Sequence, residues 1–264
     1  MEVGRLTGAF DLVTVDQLDL VAQARERCGR LVVRVLSDAR VEGLEGLAPV
    51  LPQAERVRLV GALRAVDAVD VADDADDDLP GGQPVRGVAA VLADDAAPAR
   101  AEVLRPRPQA PLPDVADLLV PIAVRGPGLR TGYVPGGWDM FHVGHLRILE
   151  RARASCDRLV VGVVTDEALV VAKGRPPMVP FPQRAAVVAA FALVDEVVAD
   201  TSSDKRLAWE RVGFDVLVKG DDWQGTPKGD RLEAEMARVG VELRYFPYTP
   251  HTSSTALRSV LDAR

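Results

Sequence analysis

Histidine, cysteine and long apolar runs are scarce in this chain of 264 residues. Its two cysteines provide neither a disulfide framework nor a set of metal ligands. The longest apolar runs, such as residues 159–164, are far shorter than the ~20 residues that a membrane-spanning helix needs. The net charge is −7, so we expect no basic surface for nucleic acid. The amino terminus lacks the pattern of a signal peptide, and we expect a soluble, cytoplasmic protein.

The three histidines are confined to two short segments, residues 136–145 and 251–255. His142 and His145 end a Gly-rich turn and begin a segment with helical periodicity. The start of a helix presents unpaired backbone N–H groups and the positive end of the helix dipole, which together suit a phosphate. Two imidazoles separated by Val-Gly would add two more donors without crowding the site. This segment therefore predicts an anion site.

An internal repeat organises the chain, because residues 8–71 align with residues 136–199 at a constant offset of 128 and without a gap. Asp11 aligns with Asp139, for example, and the strand-like run that begins at residue 30 aligns with the run that begins at residue 158. About a third of the aligned positions are identical, which is far above chance for this composition. The two halves are therefore two copies of one domain.

Each copy has the pattern strand, Gly-rich turn, helix, strand, loop, helix, strand. Residues 31–36 and 159–164 are near-continuous apolar runs, as in parallel strands that are covered on both faces. Helical periodicity marks the segments between strands, at residues 16–28, 145–156 and 182–193. This βαβ succession predicts an α/β fold with two tandem Rossmann-like, doubly wound parallel sheets.

Composition divides the chain into three segments. Residues 1–97 form the first copy, residues 98–128 a Pro-rich linker, and residues 129–264 the second copy. The prolines between the copies indicate a semi-stiff or extended connection.

The two copies differ at the positions where a phosphate would bind. Three donors of the second copy are replaced in the first: His142 by Thr14, His145 by Gln17 and Lys173 by Glu45. A carboxylate in place of a lysine would repel a triphosphate, and all the lysines of the chain lie in the second copy. We therefore predict that the second copy carries the active site and that the first is degenerate, with a structural, partner or regulatory role.

Residues 136–145 resemble the signature of the cytidylyltransferase group of nucleotidyltransferases, Gly-x-Phe-Asp-x-x-His-x-Gly-His, with Trp138 in place of the Phe. The resemblance extends through the second copy and includes the segments at 173–178, 183–184, 194–198, 218–223 and 252–255. The order of these segments is similar to that in glycerol-3-phosphate cytidylyltransferases. The tandem layout with one degenerate copy is similar to that of ethanolamine-phosphate cytidylyltransferases.

The resemblance implies transfer of CMP from CTP to a small phosphorylated alcohol, with glycerol 3-phosphate favoured, and release of pyrophosphate. It implies Mg²⁺ held mainly by the CTP phosphates, with no protein metal site of its own. It assigns catalytic roles to His142, His145, Lys173 and Arg184. It assigns nucleotide binding to Gly136, Gly137, Trp138, Asp139, Gly144, Gly220, Asp221, Asp222, Trp223, Thr252, Ser253, Ser254 and Thr255. It assigns substrate binding to Lys173, Tyr248 and His251.

Several of these residues also have plain structural interpretations. Asp139 and Arg184 have counterparts in the degenerate copy, which favours a part in holding the fold. Residues 221–223 could form an ordinary exposed turn, and residues 253–255 could cap the last helix. Tyr248 stands where the glycerol-phosphate family usually has an Arg, so His251 or Arg258 would have to replace that cation.

Other functions stay open on the sequence alone. The acceptor could be phosphoethanolamine or a phosphonate, and the sugar-phosphate adenylyltransferases share the His-x-Gly-His and Lys-Gly segments. A non-catalytic nucleotide-binding protein is a third possibility, which the intact second copy argues against.

The resemblance also implies an assembly, because single-copy relatives pair their nucleotide sites across a two-fold axis. We expect an intrachain pseudo-dimer in which the first copy packs against residues near His142 and 194–197, with a homodimer of such chains as the alternative. Cleavage within residues 98–128 should then leave the two pieces associated in gel filtration, and residues 129–264 alone should be aggregation-prone or inactive. A monomeric, stable and fully active fragment would contradict this assembly.

Overall fold

The structure is a computed structural model that describes residues 1–72, 89–108, 111–119, 128–247 and 253–263. The chain divides into two compact units, the first mainly Met1–Pro111 and the second mainly Leu112–Ala189 and Leu193–Arg258. The division falls within the predicted linker of residues 98–128. Within the described residues, no helix is long and apolar enough to cross a membrane.

The first unit contains a five-stranded sheet in the order β3-β2-β1-β4-β5. Strands β1, β2 and β3 are parallel, whereas β4 and β5 are antiparallel to their neighbours. The elements are β1 (Val3–Gly8), α1 (Val15–Arg27), β2 (Arg30–Leu36), α2 (Asp38–Glu45), α3 (Gln53–Gly61), β3 (Ala68–Ala72), β4 (Ala90–Asp94) and β5 (Ala97–Leu104).

The second unit contains a five-stranded sheet in the order β10-β9-β6-β7-β8, with every strand parallel to its neighbours. Its elements are β6 (Thr131–Gly136), α4 (Val143–Arg153), β7 (Arg158–Val164), α5 (Asp166–Lys173), α6 (Phe181–Ala189), β8 (Glu196–Asp200), α7 (Lys205–Val212), β9 (Val216–Gly220), a 3₁₀ turn (Asp221–Trp223), α8 (Pro227–Ala237), β10 (Glu242–Phe246) and α9 (Ser254–Asp262). The α/β class with largely parallel sheets is confirmed.

The element bounds follow the same offset of 128 that relates the two copies in sequence. Strands β1, β2 and β3 and helices α2 and α3 begin and end 128 residues before their counterparts in the second unit. Identical local signals explain the match for α2 and α5. Ser37 and Thr165 cap their starts, and Gly46 and Gly174 end them in the left-handed conformation at φ 77° and 71°.

The two units differ after their third strand, and here the expectation of a parallel sheet in the first copy is wrong. Residues 95 and 96 connect β4 to β5, and so short a connection permits only antiparallel pairing. Residues 98–104, predicted as the start of the linker, pair within β5 of the first sheet.

The winding of the second sheet reverses once. Helices α4 and α6 connect β6, β7 and β8 in one direction along the sheet, and they contact those strands. Helices α7 and α8 lead back to β9 and β10 on the other side of β6, so right-handed crossovers place them on the opposite face. The carboxyl ends of β6 and β9 therefore flank a topological switch point, where doubly wound sheets open a ligand crevice. We call this region the switch-point crevice.

The face beneath α7 and α8 is packed by a buried apolar cluster that includes Tyr133, Val160, Phe214 and Met236. The Tyr133 ring stacks on Phe214 with centroids 4.7 Å apart. The hydroxyl of Tyr133 occupies the space that a side chain at Gly162 would need.

The same face of the first sheet is polar. At the positions of Tyr133, Gly162 and Val198, the first copy has Arg5, Arg34 and Asp70. Arg5 forms ion pairs with Asp70 and with Asp95. Among the described residues of the first unit, no helices correspond to α7 and α8. An apolar surface on this face would therefore lack the helices that cover it in the second unit, which explains the charged side chains.

Gly162→Ala should destabilise the second unit by about 1–3 kcal/mol, because the added methyl group would overlap the buried Tyr133 hydroxyl and overpack the core. Urea unfolding measures the change. Gly43→Ala is the control, since Gly43 lies in α2 with no atom within 4 Å of the added carbon, and it should be neutral or stabilising. Equal stability of Gly162→Ala and wild type would contradict this packing.

Candidate functional site

The loop between β6 and α4 holds most of the predicted site residues at one end of the switch-point crevice. Trp138 and Met140 adopt positive φ angles of 55° and 48°, which are uncommon for bulky side chains. Phe10, the counterpart of Trp138, has a φ of 49°. The positive φ at the position of Trp138 therefore exists in both copies and does not depend on the histidines, whereas that of Met140 has no counterpart at Leu12.

Asp139 supports the loop from behind. Its carboxylate accepts hydrogen bonds from the backbone N–H groups of Met178 at 3.0 Å and Val179 at 2.9 Å. Asp11 accepts the equivalent bonds in the first copy, at 2.8 and 2.9 Å from the nitrogens of residues 50 and 51. A contact that recurs in the copy without histidines belongs to the scaffold, and the geometry favours the turn-stabilising interpretation of Asp139.

Arg184 is the second support of the loop, and its side chain is fully buried. The guanidinium donates to the carbonyls of Gly137, Val164 and Val179 and to the carboxylate of Asp166. Arg56 makes the equivalent contacts in the first copy, with the carbonyls of residues 9, 36 and 51 and with the carboxylate of residue 38. These contacts give Arg184 a positioning role through the carbonyl of Gly137. The guanidinium has no exposed edge for a phosphate.

Trp138 lies beneath the loop and is 3% exposed. Its indole N–H donates to the carbonyl of Gly162 at 3.0 Å, and its ring centroid lies 5.2 Å from that of His145. Gly136 lacks the Cβ that would press on this indole. Trp138 is thus placed as a wall for His145, and its burial leaves little surface for the nucleotide contact predicted from the sequence.

His142 caps the start of α4. Its Nδ1 accepts a hydrogen bond from the backbone N–H of Gly144 at 3.1 Å, in the role that Thr14 has for α1. An accepting Nδ1 carries no proton, so the neutral ring carries its proton on Nε2. Burial lowers the pKa of His142 to about 4, which keeps the imidazole neutral near pH 7.

His145 stacks on His142, with ring centroids 3.9 Å apart. Its Nδ1 is buried without a hydrogen-bond partner among the described residues. Burial, then His142 and then Lys173 hold the pKa of His145 well below its ordinary value. An unpaired buried acceptor is tolerated better than an unpaired buried N–H, which favours the proton on Nε2. The pair therefore offers two neutral N–H donors side by side.

Lys173 supplies full positive charge to this end of the crevice. It is the last residue of α5, and the left-handed Gly174 follows it. The Nζ atom lies 3.8 Å from the point where a side chain would begin at Gly137. The lysine therefore faces the glycine turn and the histidines, whereas Glu45 occupies its position in the first copy.

The start of α9 meets the same loop. The hydroxyl of Ser254 donates to the carbonyl of Asp139 at 2.7 Å, and the hydroxyl of Ser253 accepts from the backbone N–H of Ala256 at 3.1 Å. Arg258 lies 3.6 Å from the carboxylate of Asp139. Thr255 is exposed on the first turn. The remaining predicted residues of this region, Tyr248, His251 and Thr252, lie outside the described residues.

The turn after β9 forms the other end of the crevice. Gly220, the last residue of β9, leads into the 3₁₀ turn of Asp221, Asp222 and Trp223. The carboxylate of Asp222 folds back beside Gly220, where a side chain would collide with it. Trp223 packs against the apolar cluster beneath α7 and α8. The predicted nucleotide-binding residues thus divide into two groups, one on each side of the switch point.

Two lysines near the second group, Lys219 and Lys205, were not predicted as site residues from the sequence. Lys219 places its Nζ 4.1 Å from the centre of the Trp223 ring, and burial together with Lys205 lowers its pKa to about 8. Lys205 is buried and donates to both carboxylate oxygens of Asp200, at 2.8 and 2.6 Å. The sequence signal for Lys219 was its position, because it follows an apolar run and immediately precedes Gly-Asp-Asp-Trp.

Residues 133–260 match the family model described as cytidylyltransferase-like. The chain is 36% identical over 138 residues to the bifunctional protein HldE of Hyphomonas neptunium, covering 50% of this chain and 27% of that protein. It is 37% identical over 113 residues to the ethanolamine-phosphate cytidylyltransferase of Arabidopsis thaliana, covering 41% of this chain and 27% of that protein. The chain thus spans about a quarter of the length of these relatives.

A solved structure covers a similar share of the chain. The lipopolysaccharide core biosynthesis protein from Thermoplasma volcanium GSS1 matches 47% of this chain over the whole of its own length, at 22% identity and a TM-score of 0.41.

Asp139→Ala and Asp11→Ala should destabilise their units by similar amounts, about 1–3 kcal/mol, because each removes the charged acceptor of two part-buried backbone hydrogen bonds. Urea unfolding of the two variants makes the comparison. If Asp139→Ala abolished turnover at wild-type stability while Asp11→Ala unfolded readily, Asp139 would be a reacting group and not a scaffold residue.

Proposed function

From residues 133–260, which form a cytidylyltransferase-like domain, we propose that the chain is a nucleotidyltransferase that transfers CMP from CTP to a small phosphorylated alcohol and releases pyrophosphate. Glycerol 3-phosphate is the favoured acceptor. The observation that carries the proposal is the stacked pair His142 and His145 at the start of α4, with Lys173 facing the same turn.

The proposed chemistry needs positioning and charge neutralisation more than proton transfer. A phosphate oxygen of the acceptor attacks the α-phosphorus of CTP in line, and the bond to the bridging oxygen of pyrophosphate breaks. The acceptor phosphate is already ionised at neutral pH, so no general base is required. Neutral N–H donors from His142 and His145 suit this role, because they stabilise phosphate oxygens without titrating near pH 7.

The triphosphate would lie between the start of α4 and Lys173. The α4 amino terminus contributes its positive dipole end, and Lys173 contributes a full charge for the leaving pyrophosphate. The hydroxyl of Ser254 and the guanidinium of Arg258 line the same side of the loop. Gly136 leaves room for the indole of Trp138, and Gly137 leaves room beside the ammonium of Lys173.

Mg²⁺ is proposed to bind mainly through the phosphate oxygens of CTP. Among the described residues, no group of three histidine, cysteine or acidic side chains could hold a metal ion. The carboxylate of Asp139 already accepts two backbone N–H groups, so any contact with the ion would pass through water. When bound, the ion would neutralise charge on the phosphates.

The first unit is proposed as a degenerate Rossmann-like copy that serves as a structural or partner domain. Thr14 still caps α1, but Gln17 and Glu45 stand where a donor and a cation are needed. Its described strands also continue into an antiparallel hairpin, whereas the second unit adds β9 and the turn with Trp223. The first copy would therefore lack both the donors for the triphosphate and the turn on the other side of the switch point.

Phosphoethanolamine is the second candidate acceptor, since one of the relatives is named for that substrate. Pyrophosphate release tests both the reaction class and the acceptor, with CTP or ATP as the nucleotide and a panel of phosphorylated alcohols and phosphonates. Turnover with CTP and glycerol 3-phosphate is expected. Turnover with ATP and a sugar phosphate alone would overturn the cytidylyl assignment, and tight CTP binding without turnover would indicate a non-catalytic protein.

His145→Ala should lower kcat by about 10²–10³, on the scale of one lost oxyanion donor, while the melting temperature changes little. Gln17→Ala is the matched control, because Gln17 holds the same position in the first copy, and its turnover should equal that of the wild type. Pyrophosphate release and thermal unfolding are measured on both variants. A His145→Ala enzyme with wild-type turnover would remove the histidine pair from the site.

A further inference from the structure

Lys219 and Trp223 form a pair at the end of β9, across the switch-point crevice from the proposed triphosphate site. Lys219 is near the carboxyl end of β9, and its ammonium lies over the indole of Trp223 at 4.1 Å from the ring centre. An ammonium at this distance is within the range of a favourable cation–π contact. The indole also packs against the apolar cluster below it, so the ring is held firmly in place.

The charged groups near Lys219 decide which ligand its partly buried ammonium would attract. Lys205, Asp200 and Asp222 are the titratable groups whose charges act on it. The carboxylate of Asp200 is bound at both oxygens by Lys205, which also donates to the carbonyl of Ser202 at 2.6 Å. Asp222 is exposed to solvent, which weakens its effect. The surroundings of Lys219 therefore favour an anion.

The face of an aromatic ring can also bind the ammonium group of a ligand, because the ring face attracts cations. Here Lys219 already covers the ring face of Trp223. A second ammonium would lose that contact and would be repelled by Lys219 and by Lys205, whose charge also acts on Lys219. The arrangement therefore attracts a phosphate and disfavours a cationic head group.

We propose that Lys219, held on Trp223, binds the phosphate of the acceptor and selects phosphorylated alcohols with an uncharged carbon skeleton over those that carry an ammonium group. This selection rests on the proposed transferase function, because it assigns the acceptor to the side of the switch point opposite His142 and Lys173. Small polyol phosphates fit the site, and phosphoethanolamine does not.

The test compares glycerol 3-phosphate with phosphoethanolamine in the pyrophosphate-release assay with CTP. Wild-type kcat/KM should favour glycerol 3-phosphate by at least about 100-fold. Lys219→Met keeps an unbranched side chain on Trp223 without the charge. The Lys219→Met substitution should raise KM for glycerol 3-phosphate at least about 10-fold. It should lower the ratio of kcat/KM for glycerol 3-phosphate to that for phosphoethanolamine by a similar factor. Lys228→Met, an exposed lysine of α8, is the control and should change neither value.

The pH dependence separates a binding role from a structural one. Because the pKa of Lys219 is lowered to about 8, the ammonium loses its proton as the pH rises through 8. KM for glycerol 3-phosphate should therefore increase between pH 7 and 9 in the wild type, and this increase should be absent in Lys219→Met. A preference unchanged by Lys219→Met, or equal use of both acceptors by the wild type, would overturn the proposal.

The acceptor selection can also be measured without turnover. If no nucleotide supports pyrophosphate release, the transferase function fails, and titration calorimetry with the same two compounds still tests Lys219. Tighter binding of glycerol 3-phosphate that is lost in Lys219→Met would support the anion-selective site. Equal binding of the two compounds, or binding unaffected by Lys219→Met, would refute it.

Discussion

A buried arginine fixes the loop on which the candidate site depends. In the second copy, Arg184 joins the carbonyl of Gly137 to the end of β7 and to Asp166 at the start of α5. Leaving a buried guanidinium without these partners would be costly, so the loop has little freedom once the sheet and helices have formed. Asp139 adds two hydrogen bonds on the same side. Arg56 and Asp11 make the same contacts in the first copy, which lacks the histidines. The contacts that hold the loop are therefore independent of the residues proposed to bind phosphate.

The proposed function of the second copy therefore depends on a few side chains added to a common frame. Thr14 and His142 both cap the helix that follows the loop, but only His142 places an imidazole N–H beside that of a second histidine. The proposed function also requires the reversal of winding in the second sheet. This reversal brings β9 beside β6 and places Lys219 and Trp223 across the crevice from the histidines. In the first sheet β4 occupies the place beside β1, and the described residues there offer no such turn.

Much of this fold could be predicted from the sequence, because the repeat places every shared strand and helix twice and the apolar runs show parallel strands. The loop with His142 and His145 was likewise visible as a Gly-rich turn before a helix. Three features could not be predicted from the sequence. The hairpin of β4 and β5 has no counterpart in the other copy, so the repeat gave no guide. The burial of Arg184 depends on two carbonyls that are distant in the sequence, those of Gly137 and Val164. The pairing of Lys219 with Trp223 depends on how the turn after β9 folds back.

The central claim is that one nucleotide site exists per chain and that it lies in the second copy. Titration calorimetry of CTP against the wild type and against Lys173→Glu tests this claim most directly, since the substitution gives the second copy the residue that the first already has at position 45. One equivalent of CTP should bind the wild type, and binding should weaken at least about 100-fold in Lys173→Glu, as expected for replacing a favourable charge by a repulsive one. Two equivalents per chain, or undiminished binding by Lys173→Glu, would contradict the account.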